Sequence, residues 1–93
     1  MTIHYRKHAL QRMFQRGVSS ADIHEVLRCG VVIEDYPQDF PYASRLIFHA
    51  VNGRPLHIVV ANDAETGDTI VITAYEPDLE KWLPGFRVRK GAP

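Results

Sequence analysis

Apolar residues recur with helical spacing near the start of the chain. Leu10, Met13 and Phe14 stand at i, i+3 and i+4, which predicts a helix over residues 5–16 with these side chains on its buried face. Gly17 follows and is typical of the left-handed residue that ends a helix. The first predicted element is therefore an amphipathic helix.

A second helix is predicted directly after this glycine. Ser19 is a favourable N-cap residue, and Asp22 three positions later completes the acidic form of a capping box. The helix is predicted over residues 20–29, with Ile23 on its buried side, and Gly30 ends it.

The rest of the chain contains the short β-branched runs that are typical of strands. Four strands are predicted, over residues 31–36, 44–51, 54–62 and 69–75. Asn52 and Gly53 between the second and third strands predict a two-residue hairpin, because both residues tolerate positive φ. This hairpin fixes a register in which Phe48 lies opposite His57.

Two helices followed by hairpin-linked strands predict an α+β domain. The helices are expected to cover one face of an antiparallel sheet of about four strands. A short helix near Trp82 is predicted to close a domain of residues 1–83, and residues 84–93 form a basic C-terminal tail. Residues 1–4 either form a short strand or lead into the first helix.

The hairpin register also divides the strand residues between two faces. The more aliphatic face is expected to pack against the helices and contains Arg45, Ile47, His49, Leu56, Ile58 and Val60. The other face contains Phe48 and His57 and is expected to be open to solvent. In the last strand, the core positions are predicted to be Ile70, Ile72 and Ala74. Tyr75 is then expected on the open face, near His57.

Composition narrows the class of protein. Ninety-three residues support one domain, and the single cysteine, Cys29, excludes a disulfide within one chain and a zinc site made only of cysteines. No signal peptide or long apolar run is visible, so we expect a cytoplasmic protein that does not enter a membrane. Eleven basic residues balance eleven acidic ones, but residues 1–21 carry only basic charge and residues 63–80 only acidic charge. Such segregation can produce a positive cleft with acidic surroundings.

The candidate chemistry begins on the first helix. His8, Arg12 and Arg16 stand four apart and form a stripe with no carboxylate nearby in sequence, which favours an anionic ligand. A solvated helix face is the alternative interpretation of this stripe. His57 has two interpretations as well. It is either a proton-transfer group facing solvent or a half-buried strand residue bonded to its neighbours.

These side chains match the needs of a ribonuclease that uses no metal. Such an enzyme needs a base for the 2′-hydroxyl, an acid for the leaving oxygen and a cation for the phosphorane. His4 and His8 could form half of a metal site, but no further ligand pattern accompanies them, and no cofactor motif is present. The sequence therefore predicts neither a metal nor a cofactor.

Three motifs together resemble a bacterial family, number 4258 among domains of unknown function. They are HAxxRMxxRG in the first helix, RPLHIVV in the third predicted strand and YEPD after the last one. The resemblance covers residues 5–78. Members of this family are similar to small toxins of the RelE and MqsR kind, which sometimes accompany a zinc-finger antitoxin of the YgiT kind.

The resemblance implies a compact RelE-like or barnase-like fold and an endoribonuclease toxin of a toxin–antitoxin system. The family's motifs correspond here to His8, Arg12, Arg16, Arg45, His57 and Tyr75. On this hypothesis His8 or His57 acts as general base or acid, the three arginines hold phosphate, and Tyr75 assists or stacks. The implied partners are RNA and an antitoxin of the zinc-finger or helix-turn-helix type.

Another class of function fits the charge pattern too. The chain could be a non-catalytic interaction module whose open sheet face binds a partner protein or a second copy. In a homodimer, the basic residues 1–21 of one copy would pair with the acidic residues 63–80 of the other.

Overall fold

The computed structural model describes residues 2–91. Met1 of the predicted leading segment and Ala92 and Pro93 of the predicted tail lie outside the described residues. The elements in chain order are β1 (Ile3–Tyr5), α1 (Lys7–Arg16), α2 (Ser20–Cys29), β2 (Val31–Tyr36), β3 (Ser44–Val51), β4 (Arg54–Asn62) and β5 (Thr69–Tyr75). Of the helices formed by these described residues, none has the length and apolar character needed to cross a membrane.

The strands form one sheet in the order β1-β5-β4-β3-β2. β2 to β5 are antiparallel neighbours, whereas β1 pairs with β5 in parallel. The hairpin register is confirmed, since Val51 pairs with Arg54 and Phe48 pairs with His57. The α+β class is therefore confirmed, with β1 as a fifth strand in a mixed sheet.

Both predicted helix boundaries have the expected local chemistry. Gly17 adopts a left-handed conformation with φ 64° at the end of α1. At the start of α2, the Asp22 amide donates to Ser19 Oγ at 3.1 Å, and the Ser19 amide donates to Asp22 Oδ2 at 2.9 Å. Gly30 has an ordinary negative φ, and its role is steric, because a Cβ there would lie 2.5 Å from Ile47 Cγ2.

The core lies between the helices and the predicted aliphatic face of the sheet, called here the helix-side face. It contains Ala9, Met13, Ile23 and Val26 from the helices, packed on residues that include Ile47, Leu56, Ile58 and Val60. The predicted buried face of α1 is only partly confirmed, because Met13 is buried but Leu10 is 50% exposed and Phe14 is 90% exposed. The buried line is Ala9 and Met13, and each helical position turns the side chain by about 100°. Burial of the small Ala9 thus rotates Leu10 and Phe14 outward.

The predicted core positions of β5 are also partly wrong. Val60 pairs with Val71 and Val59 pairs with Thr73, so the register shifts at Ile72. This bulge reverses the alternation, and the buried apolar residues are Val71 before it and Ala74 after it. Tyr75 still lies opposite His57, as predicted.

The other face of the sheet, called here the second face, carries Phe48, His57 and Tyr75. The expectation that it is open is only partly correct, because residues 77–91, called here the C-terminal segment, pack on part of it and bury Trp82 to 2% exposure. The segment folds back on itself through a bridge between Trp82 and Arg89. It forms turns instead of the predicted short helix, since Pro84 disfavours a helical conformation at the preceding residue.

Candidate active site

A cleft of about 320 Å³, called here the basic cleft, lies between α1, the end of β5 and the C-terminal segment. Its walls are formed by Arg12, Arg16, Thr73, Tyr75, Glu76, Pro77, Asp78, Lys81, Trp82 and Arg89. Four basic side chains thus face two acidic ones. The local charge is positive although the chain as a whole is neutral.

Helix α1 contributes two arginines because it runs beside the unpaired edge of β5. β1 pairs with β5 only as far as Val71, so no strand of residues 2–91 covers the later residues of β5 on that side. Arg12 and Arg16 are one helical turn apart and project from α1 toward Thr73 and Tyr75 in the cleft wall.

Arg54 fixes the end of α1 at this edge. Its Nη1 donates to the Gly17 carbonyl at 3.0 Å, and its Nη2 donates to the Arg16 carbonyl. Its Nε also pairs with the Glu76 carboxylate at the end of β5. One guanidinium therefore satisfies the last carbonyl of the helix and that of the residue that follows it, and ties both to the strand that carries Tyr75.

The basic side chains of the cleft differ in whether an acidic side chain forms an ion pair with them. Arg89 pairs with Glu34 at 2.9 Å. Arg12, Arg16 and Lys81 form no ion pair with any of the residues 2–91. Three positive charges are thus available for an external anion, and guanidinium binds phosphate, like carboxylate, in a bidentate manner.

Tyr75 is the cleft residue whose hydroxyl forms a hydrogen bond with a buried histidine. His57 Nε2 lies 2.7 Å from the Phe86 carbonyl oxygen, which can only accept, so Nε2 carries the hydrogen in the neutral ring. Nδ1 then accepts a hydrogen bond from the Tyr75 hydroxyl at 3.1 Å. The arrangement links a phenol in the cleft to a buried imidazole whose tautomer is set by a backbone carbonyl.

Burial decides the charge state of both groups. His57 is 0% exposed, and its ring contacts Trp82 edge-on at a centroid distance of 4.4 Å and Phe48 at 5.8 Å. Desolvation lowers the pKa of His57 below its ordinary value of 6.5, with only partial opposition from the Phe86 hydrogen bond. Desolvation also raises the pKa of Tyr75 to about 12. Both side chains are therefore neutral at pH 7.

A second set of polar contacts, formed by Arg89, Glu34 and Tyr36, holds the C-terminal segment against the sheet. Arg89 lies over the Trp82 ring at 4.6 Å and binds Glu34 of β2, which also accepts from the Tyr36 hydroxyl at 2.5 Å. Burial would raise the pKa of Glu34, but the hydrogen bonds from Arg89 and Tyr36 bring it below the ordinary value. Glu34 therefore stays ionised and holds Arg89, and with it Trp82, in place.

The structure brings together only part of the predicted site. Arg12, Arg16 and Tyr75 share the basic cleft, and His57 lies directly behind Tyr75. The expectation that His57 faces solvent is wrong, because the C-terminal segment covers it. The alternative, a strand histidine bonded to its neighbours, describes its contacts.

Two predicted residues lie outside the basic cleft. His8 lines a separate cavity one helical turn away from Arg12. Arg45 lies on the helix-side face, where Nη1 donates to Asn62 Oδ1 at 2.7 Å. His4 bonds Asp68 at 2.9 Å instead of approaching His8.

Several cleft residues were absent from the sequence-based site. Lys81 and Arg89 belong to the segment that the sequence predicts as a helix end and a tail, and Trp82 is predicted as part of the helix. The basic charge after residue 80 was a usable signal, because it follows an acidic block. Arg54 gave no signal, since its role depends on the distant end of α1.

The arrangement can bind and polarise a phosphodiester. Unpaired arginines can neutralise the phosphate oxygens, and a neutral phenol can donate or relay a proton. Among residues 2–91, no three His, Cys, Asp or Glu side chains converge as a metal site.

Comparison with known proteins identifies a family. The model of a family described as Domain of unknown function (DUF4258) matches residues 5–76. Neither a curated protein nor a solved structure matches the chain.

Proposed function

Since the chain belongs to the DUF4258 family, whose description assigns no activity, we propose its function from the basic cleft. The proposal is a metal-independent endoribonuclease similar to the RelE and MqsR toxins, acting on single-stranded RNA. One observation supports it most. Arg12 and Arg16, without acidic partners among the described residues, share a cleft with Tyr75, whose hydroxyl bonds a buried neutral imidazole.

Binding depends on the cations of the cleft. Arg12 and Arg16 hold the non-bridging oxygens of the scissile phosphate, and Lys81 adds charge from the opposite wall. Arg89 is already paired with Glu34 and positions Trp82. The arginines also stabilise the extra negative charge that develops on the phosphorane.

Proton transfer runs through Tyr75. The 2′-oxygen attacks phosphorus while the Tyr75 oxygen takes the 2′-hydroxyl proton and passes its own proton to His57 Nδ1. The P–O2′ bond forms and the P–O5′ bond breaks. A water molecule on the opposite side of the phosphorus protonates the departing 5′-oxygen, and the proton held by His57 returns through Tyr75 to the hydroxide that remains. The products are a 2′,3′-cyclic phosphate and a 5′-hydroxyl, and both side chains return to their starting state.

Several expectations accompany this proposal. A cytoplasmic location, an antitoxin of the zinc-finger or helix-turn-helix type and a homodimer stay predictions. His8 and Arg45 have no place in the proposed chemical step, because neither lines the basic cleft. The alternative interaction module depends on an open sheet face, and the C-terminal segment occupies part of that face.

The experiment measures RNA binding and cleavage by purified protein in EDTA. We expect cleavage of a labelled single-stranded RNA, and Arg12→Gln or Arg16→Gln should each weaken RNA binding about tenfold, or about 1.4 kcal/mol. The reason is the loss of one charge-assisted phosphate contact in each variant. Each loss should also reduce the slope of log affinity against log salt by about 0.7.

Arg28→Gln is the matched control, because Arg28 is an exposed arginine on α2. It should bind and cleave RNA like the wild type. Equal loss in Arg28→Gln would mean that RNA binds by general charge alone. Intact RNA after incubation with excess wild-type protein would contradict the nuclease proposal.

A further inference from the structure

A second cavity, of about 560 Å³, is lined by residues of the same helix and the same strand as the basic cleft. His8 in its wall lies one helical turn before Arg12 of the basic cleft, and Ile72 is the neighbour of Thr73. Of the stripe on α1, His8 therefore lines the second cavity, and Arg12 and Arg16 line the basic cleft. Residues four apart on a helix rise by about 6 Å, which is close to the repeat of successive phosphates on an extended single strand.

The walls of the second cavity combine three kinds of chemistry. Arg6 and His8 form a basic side, and Arg6 makes no ion pair with the described residues. Phe40 and Tyr42 form an aromatic side. Ala61 and Ile72 contribute apolar surface from the sheet. This combination fits a flat ring attached to a phosphodiester, because unpaired bases stack on aromatic rings and the adjoining phosphates bind cations.

The loop that carries the aromatic side is held at two points. The Tyr42 hydroxyl donates to Asp63 Oδ2 at 3.2 Å, and Ser44 Oγ donates to Asp39. Asp39, an acidic residue in the wall, is therefore already engaged with Ser44. Phe40 lies between these anchors and is 96% exposed, although it is a large apolar ring. A fixed loop that presents an uncovered ring beside a cationic wall is well suited to stacking.

We propose that the second cavity is a subsite for the unpaired base of the nucleotide next to the phosphate in the basic cleft. Phe40 stacks on this base, and Arg6 contacts the phosphate that follows. The inference rests on the proposed RNA substrate and extends it. The protein recognises at least two consecutive nucleotides of a single strand, one by its phosphate and its neighbour by its base.

The test uses 2′-O-methyl hexanucleotides, which cannot be cleaved, with 2-aminopurine placed at each position in turn. Stacking on Phe40 should quench the 2-aminopurine fluorescence at one position in the wild-type complex. Phe40→Ala should abolish this quenching and raise Kd about 5- to 10-fold. In cleavage assays the same variant should raise KM and leave kcat unchanged, because Phe40 contacts no reacting atom.

Phe14→Ala is the matched control, since Phe14 is an equally exposed phenylalanine on the outer side of α1. It should keep both the quenching and the wild-type Kd. Unchanged quenching and Kd in Phe40→Ala would overturn the subsite, even if RNA is cleaved. Phe40-dependent binding without cleavage would support the subsite while rejecting the nuclease proposal. No binding of any hexanucleotide would overturn both.

Discussion

Tyr75 and His57 are two side chains whose chemistry is set by burial. Desolvation raises the pKa of Tyr75 to about 12, so the phenol keeps its proton in the cleft at neutral pH. Desolvation also lowers the pKa of His57, so the buried imidazole is neutral at pH 7 and can accept a proton. The pair can therefore move a proton without either group carrying charge at the start.

The buried imidazole predicts a specific pH dependence of stability. Since the pKa of His57 is lower in the folded than in the unfolded protein, the unfolded state binds more protons below pH 6.5. The free energy of unfolding should therefore fall as the pH drops from 6.5 toward the folded pKa. Urea unfolding at pH 7.5 and pH 5.5 measures this difference, and His57→Gln should reduce it.

His24→Gln is the control for this prediction, because His24 is exposed on α2. It should leave the pH dependence as in the wild type. An identical pH dependence in His57→Gln would show that His57 is not desolvated in solution. In activity measurements, the acid limb of kcat/KM should lie below pH 6.5 for the same reason.

At the level of single residues, the sequence predicts which strand residues of the candidate site lie opposite each other. It does not predict which segment buries His57. The Asn52–Gly53 turn fixes the register, and the register places Phe48, His57 and Tyr75 on one face. His57 is buried by the C-terminal segment, whose Trp82 contacts it edge-on, although the sequence there predicts only a short helix and a tail. Local patterns cannot specify where such a segment returns to the sheet.

At the level of elements, the position of α1 determines what the cleft can bind. Arg16 reaches the cleft because the end of α1 is held beside β5, and Arg54 provides this connection. Free helix carbonyls would otherwise face water, and the last turn would fray.

Arg54→Met should therefore destabilise the protein. Loss of charge-assisted hydrogen bonds to two carbonyls should reduce the free energy of unfolding by about 1–2 kcal/mol, with partial exposure limiting the effect. For a domain of this size, the expected drop in Tm is about 4–8 °C for each kcal/mol. Thermal unfolding followed by circular dichroism measures it.

Arg28→Met is the matched control and should change the stability by less than about 0.5 kcal/mol. If Arg54→Met melts at the wild-type temperature, the proposed anchor of α1 is wrong. If it melts lower, it should also bind RNA more weakly than Arg28→Met, because Arg16 loses its fixed position.

Element boundaries were predictable because each has its own local chemistry. The Ser19–Asp22 capping box and Gly17 mark the ends of the two helices directly. The orientation of an element was less predictable. Hydrophobicity alone favoured Leu10 and Phe14 as buried, whereas packing against β5 buries the small Ala9. The bulge at Ile72 could not be predicted from the sequence, because the residues of β5 are nearly all β-branched or apolar and show no clear alternation.

At the level of the whole molecule, a neutral chain concentrates positive charge in one place. α1 and the C-terminal segment are far apart in sequence and meet at the basic cleft, while the acidic Glu34 and Glu76 are each engaged by an arginine. Net charge is therefore a poor guide to the ligand of this protein, because the cleft is where a ligand meets the charge. The fold class could be predicted from the sequence. That α1 and the C-terminal segment form one cleft could be seen only in the structure.

The central claim is that Tyr75 relays a proton during attack by a ribose 2′-hydroxyl. The most direct measurement uses a DNA oligonucleotide with a single ribonucleotide, incubated in EDTA and followed by mass spectrometry of the products. The account predicts cleavage only after the ribonucleotide, with a 2′,3′-cyclic phosphate on one fragment, and a loss of at least about 100-fold in rate for Tyr75→Phe. Cleavage elsewhere, or an undiminished rate in Tyr75→Phe, would contradict it.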